Sequence, residues 1–391
     1  MAQTPRAAGR VAELLNWSTP DVVVVGAGLA GCSTARFLAE TGARVMLVDS
    51  RGIGAGASGR NGGFLFRQPA AWINELLSES LQLYRSLEED GAVPFDLQAW
   101  PMLLLAVEER ELESARAYAE ALGGQEVDLR EDPWFADDLA GGFVIEGGYT
   151  LDAMGATTAM AEAARRAGVD FRLGCEAKRI LAAGGRVHGV ATDEGVVPTE
   201  RVVVTTGPRL RFLPRTVGVD VPVVASRGWL LETTKVDPPP TYAVEQAAWP
   251  LQDEMASLVG APTLGEVAEG AAEQPGLVSL LLGARPAGHC LIGTSLRRSL
   301  LEEPETPETV RRLAERAVRV SPVLRDVPVV AAWSGRRAVS PDGLPLVGPV
   351  PGVDGLEVAG GFSSIGMVTI PAACRRLVHG GAEAFDPARF A

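Results

Sequence analysis

Four consecutive valines, Val22 to Val25, run straight into Gly26-Ala27-Gly28-Leu29-Ala30-Gly31. An unbroken β-branched run reads as a strand buried on both faces, the kind that parallel sheets use. The glycines then open a helix expected over residues 30–41, with Gly42 placed to end it. A second apolar strand follows at residues 45–48 and closes on Asp49. Strand, helix, strand in this order is a βαβ unit, which imposes parallel pairing and a right-handed crossover. The fold class expected is therefore α/β, with a Rossmann-like dinucleotide-binding layer.

Each glycine has a physical task in that reading. Gly26 permits the tight turn, Gly28 lets backbone approach a pyrophosphate, and Gly31 lets the helix pack closely on the strand. The helix N-terminus offers N–H groups and a positive dipole end to the phosphates. Asp49 stands where a carboxylate can hold ribose hydroxyls; its alternative role is to cap a loop. Cys32, just inside the helix, reads as a small packed residue.

At 391 residues the chain exceeds one ordinary core, so two intertwined domains are expected. A formal charge of −13 argues against nucleic acid, whose binding relies on clustered basic residues. Cys32, Cys175, Cys290 and Cys374 lie far apart, so no metal site is expected and a reduced cytoplasmic chain is the simpler reading. No stretch has the length of a membrane span or the apolar core of a signal peptide; residues 1–20 read as an amphipathic lead-in.

Further along, a glycine-rich loop fills residues 52–63, too long for a simple turn. Helices are expected over 71–87 and 109–122, with a strand at 100–107 between them. The chain then returns to the first domain near residue 147, with a helix at 156–167 and strands near 171–173, 187–192 and 202–206. Strands at 223–233, 278–284 and 290–296 form an antiparallel block, followed by a helix at 308–318. A last return carries Trp333-Ser334-Gly335-Arg336-Arg337, a strand at 356–359 and a final helix at 365–379. The division expected is a discontinuous nucleotide-binding domain (20–75, 146–215 and 330–391) and a substrate-binding α+β domain on an antiparallel sheet (76–145 and 216–329).

The run Gly56-Ala57-Ser58-Gly59-Arg60-Asn61-Gly62-Gly63 resembles the loop that the D-amino-acid oxidase and sarcosine oxidase superfamily, glycine oxidases included, sets against the pyrophosphate and flavin. Val202-Val203-Val204-Thr205-Thr206-Gly207 is similar to that superfamily's strand and Thr-Gly turn. Ser340-Pro341-Asp342-Gly343-Leu344-Pro345, after Trp333, and Ala359-Gly360-Gly361-Phe362 look like its C-terminal motifs. The resemblance implies a glutathione-reductase-type FAD-binding domain and FAD at the junction of the two domains. It implies cofactor contacts from Gly26, Gly28, Gly31, Asp49, Ser58, Arg60, Asn61, Gly62, Gly63, Ala177, Thr206 and Gly207. At the C-terminal end it adds Gly335, Gly361, Phe362, Ser363, Ile365, Gly366 and Met367.

The same resemblance implies oxidation of the C–N bond of a small-molecule amine or amino acid, with an imine that hydrolyses. Arg67 and Arg337 stand where relatives carry a carboxylate-binding arginine, which suits the bidentate guanidinium; Arg227 and Arg60 are weaker choices. Phe64, Phe66, Tyr149, Trp229 and Trp249 are candidates to wall the pocket. His188, His289 and His379 fall outside the motifs and read as structural. Three departures stand out. Gly335 replaces the cysteine that tethers flavin in sarcosine oxidase relatives, which implies noncovalent FAD. The stretch His289-Cys290-Leu291-Ile292-Gly293 lacks the oxygen-activating lysine, and Val368 replaces a substrate-binding one. The electron acceptor is thus left open between oxygen and another carrier, as is the oligomeric state. Two other readings compete: a nicotinamide-dependent dehydrogenase built on the same βαβ start, and a noncatalytic FAD-binding subunit of a larger complex.

Overall fold

The computed structural model describes residues 19–247, 277–285, 288–298 and 307–390; residues 1–18 and Trp249 lie outside these. Val22–Val25 is a strand buried along its length, paired in parallel with Val45–Asp49 on one side and Val202–Val204 on the other. The sheet continues to Asp170–Leu173 at one edge and through Leu356–Gly360 to an antiparallel Leu346–Pro349 at the other, six strands in all.

Both faces of that sheet are covered, which is why its central strands Val22–Val25 and Val202–Val204 are apolar at every position. Val22 and Val24 enter a core with the helices Leu29–Glu40, Ala71–Asp90, Ala153–Arg166 and Gly366–His379. Val23 and Val25 point the opposite way, onto Ile180, Val187 and Val190 of a small antiparallel sheet formed by Ala177–Ala183, Arg186–Thr192 and Gly195–Pro198. Each fully buried valine contributes about 1.5–3 kcal/mol.

The second unit is an eight-stranded sheet in the order Val329–Val339, Val224–Lys235, His289–Arg298, Leu277–Ala284, Ala243–Gln246, Met102–Ala106, Gly141–Ile145 and Gln125–Val127. Its pairs are antiparallel except Ala243–Gln246 with Met102–Ala106. The helix Pro307–Val320 packs Leu313 and Ala317 on one face, against Trp229, Leu231, Leu282 and Ile292. The helix Glu109–Ala121 packs Ala115 and Ala119 against Leu104 and Phe143 in a separate core.

Two segments sit on the other side of the division expected from sequence. Val329–Val339 is hydrogen-bonded along its length to Val224–Lys235, so residue 330 falls inside a strand of the larger sheet. Leu77, Leu81 and Tyr84 of Ala71–Asp90 join the core under the six-stranded sheet, so that helix stays with the nucleotide unit beyond residue 75. Strand pairing and core membership are decided by distant partners, which local composition does not report.

Candidate active site

The glycine turn is closed from three directions. The Gly26 N–H donates to the Val48 carbonyl at 2.8 Å. The Thr205 hydroxyl donates to the carbonyls of Val25 and Gly26, at 2.9 and 3.1 Å. A Cβ on Gly31 would overlap the Gly26 carbonyl oxygen, so the helix begins directly against the turn. Asp49 braces the turn as well as reaching its rim: Oδ2 accepts from the Ala27 N–H at 2.8 Å, and Oδ1 accepts from Arg51 and Gly52 at 2.7 and 2.8 Å. Thr205 was not singled out from sequence, although it precedes Thr206-Gly207 in the same run.

The glycine-rich loop folds back on this turn. Ser58 Oγ accepts from the Leu29 N–H at 2.9 Å, capping a helix whose own N-cap, Gly28, has no side chain. Asn61 donates to the carbonyls of Ala57 and Ser58, at 3.0 and 2.9 Å, and accepts from the Gly63 N–H at 2.9 Å, so it fixes the loop internally. Gly63 has φ +73° and lies on the Leu151 carbonyl, where a Cβ would overlap the oxygen. The loop then crosses the larger sheet at Gly335. The Arg60 carbonyl accepts from Trp333 Nε1 at 3.2 Å, and Arg60 Nη1 donates to the Ser334 carbonyl at 3.3 Å.

Three observations fit a bound dinucleotide with a polar ring. The Thr206 hydroxyl is sealed from solvent with no hydrogen-bond partner among the described residues, beside the turn that Thr205 closes. Gly28 presents bare backbone at the helix start. At the C-terminal end, Gly361 at φ +71° and Ser363 at φ +47° bend the chain into Gly366–His379, and no side chain caps that helix's first N–H groups. Phe362, Ile365 and Met367 are buried in the core, so what they and Gly366 can offer a ligand is backbone. Ala177 opens its strand shortly after Leu173, the register partner of Asp49.

Facing the loop is a sheet surface stripped of side chains at Gly228, Gly283, Gly293 and Gly335. The Phe64 ring fills the space a Cβ would take on Gly62 and on Gly283, and lies 5.4 Å from Phe66. Arg337 stretches across Gly228 and donates to the Ser295 carbonyl at 3.1 Å and to Thr294 Oγ1 at 2.6 Å. It has no carboxylate partner among the described residues. Burial pulls its guanidinium down to about 10, which still leaves it charged at ordinary pH.

Arg67 is placed elsewhere: its Nη1 donates to the Leu122 carbonyl at 3.1 Å, at the end of Glu109–Ala121. Arg227 alternates with Ser226 and Gly228 and so lies on the opposite face of its strand from Arg337. Trp229 shares that opposite face, in the core with Leu313, and Tyr149 is tied to Arg85 at 2.7 Å. His289 bonds the Thr233 carbonyl through Nδ1 at 2.9 Å, while His188 and His379 are exposed. One group that sequence reasoning passed over is Glu245, an acid in the strand Ala243–Gln246. Burial pushes its carboxyl up to about 7, and its Oε2 is sealed with no hydrogen-bond partner among the described residues.

No described helix is long and apolar enough to cross a membrane. Among the described residues no cluster of His, Cys, Asp or Glu could hold a metal. Residues 21–379 match the family model of FAD dependent oxidoreductases. The chain is 30% identical to a glycine oxidase of Pseudomonas aeruginosa, across 95% of this chain and 98% of that protein. It is 26% identical to a D-amino acid dehydrogenase of Paramagnetospirillum magneticum, across 84% and 87%. Among solved structures, glycine oxidase from Geobacillus kaustophilus superposes with a TM-score of 0.79 at 24% identity, covering 95% of this chain and 98% of that one. The turn, the loop and the C-terminal bend all fall inside the matched span, and this chain belongs to the D-amino-acid oxidase and glycine oxidase superfamily of FAD-dependent oxidoreductases.

Proposed function

We propose that the protein oxidises the C–N bond of an amino acid held by its carboxylate on Arg337. The observation that carries this reading is the guanidinium itself: it lies on the glycine-lined face opposite the Arg60 loop, bonded to a carbonyl and a hydroxyl and to no acid among the described residues. A buried cation without a counter-ion is costly, and a bidentate carboxylate is the ligand that relieves it.

Bound FAD supplies a two-electron acceptor for the hydride on the carbon next to nitrogen. The residues of the chain do the rest. The turn at Gly26, Gly28 and Gly31 and the first turn of Leu29–Glu40 hold the pyrophosphate, with Ser58 and Asn61 keeping the loop closed over it. Asp49 would hold the ribose with the lone pairs its three backbone bonds leave free, and Thr206, Gly207 and Ala177 would contribute to the same nucleotide site. Gly335, Arg60, Gly62 and Gly63 would hold the flavin where the loop meets the larger sheet. The N–H groups of 361–367 would offer donors and a positive helix end to the negative charge that the ring gains on reduction. Arg337 orients the substrate, and Phe64 with Phe66 keeps water from the reacting carbon. Arg67, engaged with the Leu122 carbonyl, takes a supporting role in the wall.

Four free, buried cysteines support noncovalent FAD and a reducing, cytoplasmic setting. The charge of −13 supports a small-molecule partner over nucleic acid. The domain division we propose keeps Ala71–Asp90 with the nucleotide unit and Val329–Val339 with the substrate sheet. The deciding test is anaerobic: the yellow protein is mixed with a panel of amino acids and amines, and its visible absorbance is followed. Bleaching by amino acids that Arg337→Leu abolishes supports the reading. A panel that bleaches nothing rejects it.

A further inference from the structure

Glu245 shares a sheet face with Arg337. In the antiparallel pair it stands opposite Leu281, and Leu281 stands opposite Gly293 on the next strand. A Cβ on Gly293 would meet Leu230, and Leu230 lies two residues along from Gly228, over which Arg337 stretches. Residues paired directly opposite point to the same side of a sheet, as do residues two apart. Glu245, Gly283 under the Phe64 ring, Leu230 and Arg337 therefore all project from one face of the sheet, which Phe64 covers at Gly283 and the helix Glu109–Ala121 covers at Leu104, the register partner of Glu245.

The carboxylate is out of place there by any structural account. Its register partners on the two adjoining strands, Leu104 and Leu281, are apolar, as is Ala243 two residues along its own strand, and the nearby Tyr118 hydroxyl is spent on the Arg67 carbonyl at 3.1 Å. Glu245 Oε2 is closed to solvent and accepts no hydrogen bond from the described residues. Buried acids without partners are disfavoured unless a ligand completes them.

We infer that Glu245 is the second anchor of the substrate pocket, so that the preferred substrate is a short amino acid carrying a cationic nitrogen beyond its α-carbon. The inference rests on the carboxylate clamp proposed for Arg337. The guanidinium ends at Thr294 and Ser295, beside Gly293, and Glu245 lies two strands further on. Two strand spacings are about 10 Å. Subtracting about 3 Å for each of two charged contacts leaves about 4 Å between a substrate carboxylate oxygen and the cation. An α-amino group is too close to its own carboxylate to span that gap, whereas a nitrogen on the β- or γ-carbon reaches it. The α-carbon then rests between the anchors, under the loop that carries Phe64.

The test compares 2,4-diaminobutanoate with 2-aminopentanoate, which replaces the distal ammonium by a methyl group of similar size. Binding of each enantiomer to the oxygen-free holoenzyme is measured by calorimetry, beside the absorbance assay. The wild-type protein should bind the diamino acid about tenfold or more tightly than its neutral counterpart. Glu245→Gln and Glu245→Met should bring that ratio to about one or below. A wild-type ratio of one, or a preference that survives both substitutions, overturns the second anchor. The two proposals separate cleanly: bleaching by amino acids with no preference leaves the oxidation reading standing without Glu245, whereas Glu245-dependent binding without any bleaching does the reverse.

Discussion

Glu245→Gln should make the folded protein more stable at high pH, and by an amount the structure sets. Burial raises the carboxyl from 4.5 to about 7, so the folded state holds its proton more tightly than the unfolded chain does. A carboxyl displaced upward supports the fold while protonated and loses that support as pH rises from about 4.5 through about 7. At about 1.4 kcal/mol per decade, the penalty above pH 7 is about 3 kcal/mol. Because the residue as a whole is half-buried, solvent screening trims it toward about 2 kcal/mol. Urea unfolding of the FAD-saturated wild type and variant at pH 4.5 and pH 8 reads this directly. Other titrating groups cancel in the difference, so the variant's advantage over the wild type should grow by about 2 kcal/mol between the two conditions. A difference that stays flat with pH would mean that the carboxylate is solvated or paired, and the argument from its burial would fail.

Arg337→Leu should raise KM for amino-acid substrates by about a hundredfold, the loss of a bidentate pair worth about 2–3 kcal/mol, with the flavin spectrum retained; a KM within twofold of wild type refutes the clamp. Arg67→Ala should instead lower the unfolding midpoint through the lost bond to the Leu122 carbonyl, and a KM effect as large as that of Arg337→Leu would reverse the assignment. Gly31→Ala drives a Cβ into the Gly26 carbonyl and should yield colourless protein when expressed with ample riboflavin; a normal ratio of visible to ultraviolet absorbance counts against the turn's role. Ser58→Ala removes the cap on the Leu29 N–H and should cost about 1 kcal/mol of stability, measured by denaturation. Acid precipitation should release all the flavin into the supernatant; colour left in the pellet would refute noncovalent binding.

Much of the nucleotide unit was legible along the chain because its signals are local. A valine run favours a strand buried on both faces, and a glycine run between strand and helix favours a turn with close approach of backbone. Asp49 illustrates the limit. Its place at the strand end was readable, but the Ala27, Arg51 and Gly52 N–H groups it accepts from come together only once the turn has formed. Arg67 and Arg337 were equal on paper, since both follow glycines and both suit a carboxylate. Folding distinguishes them by giving one a helix carbonyl and the other a bare sheet surface.

The parallel sheet, the dinucleotide turn and the order of the motifs could be read along the chain because period and spacing act over a few residues, and the family followed from the resemblance of those motifs to known ones. Tertiary structure alone decided that Val329–Val339 pairs into the eight-stranded sheet and that Ala71–Asp90 packs in the core under the six-stranded one. It also decided that Glu245 and Arg337, far apart in the chain, project from one face. The physical reason is register: which side of a sheet a residue faces is fixed by hydrogen bonds to strands remote in sequence, and a one-residue slip would turn either charge away from the other.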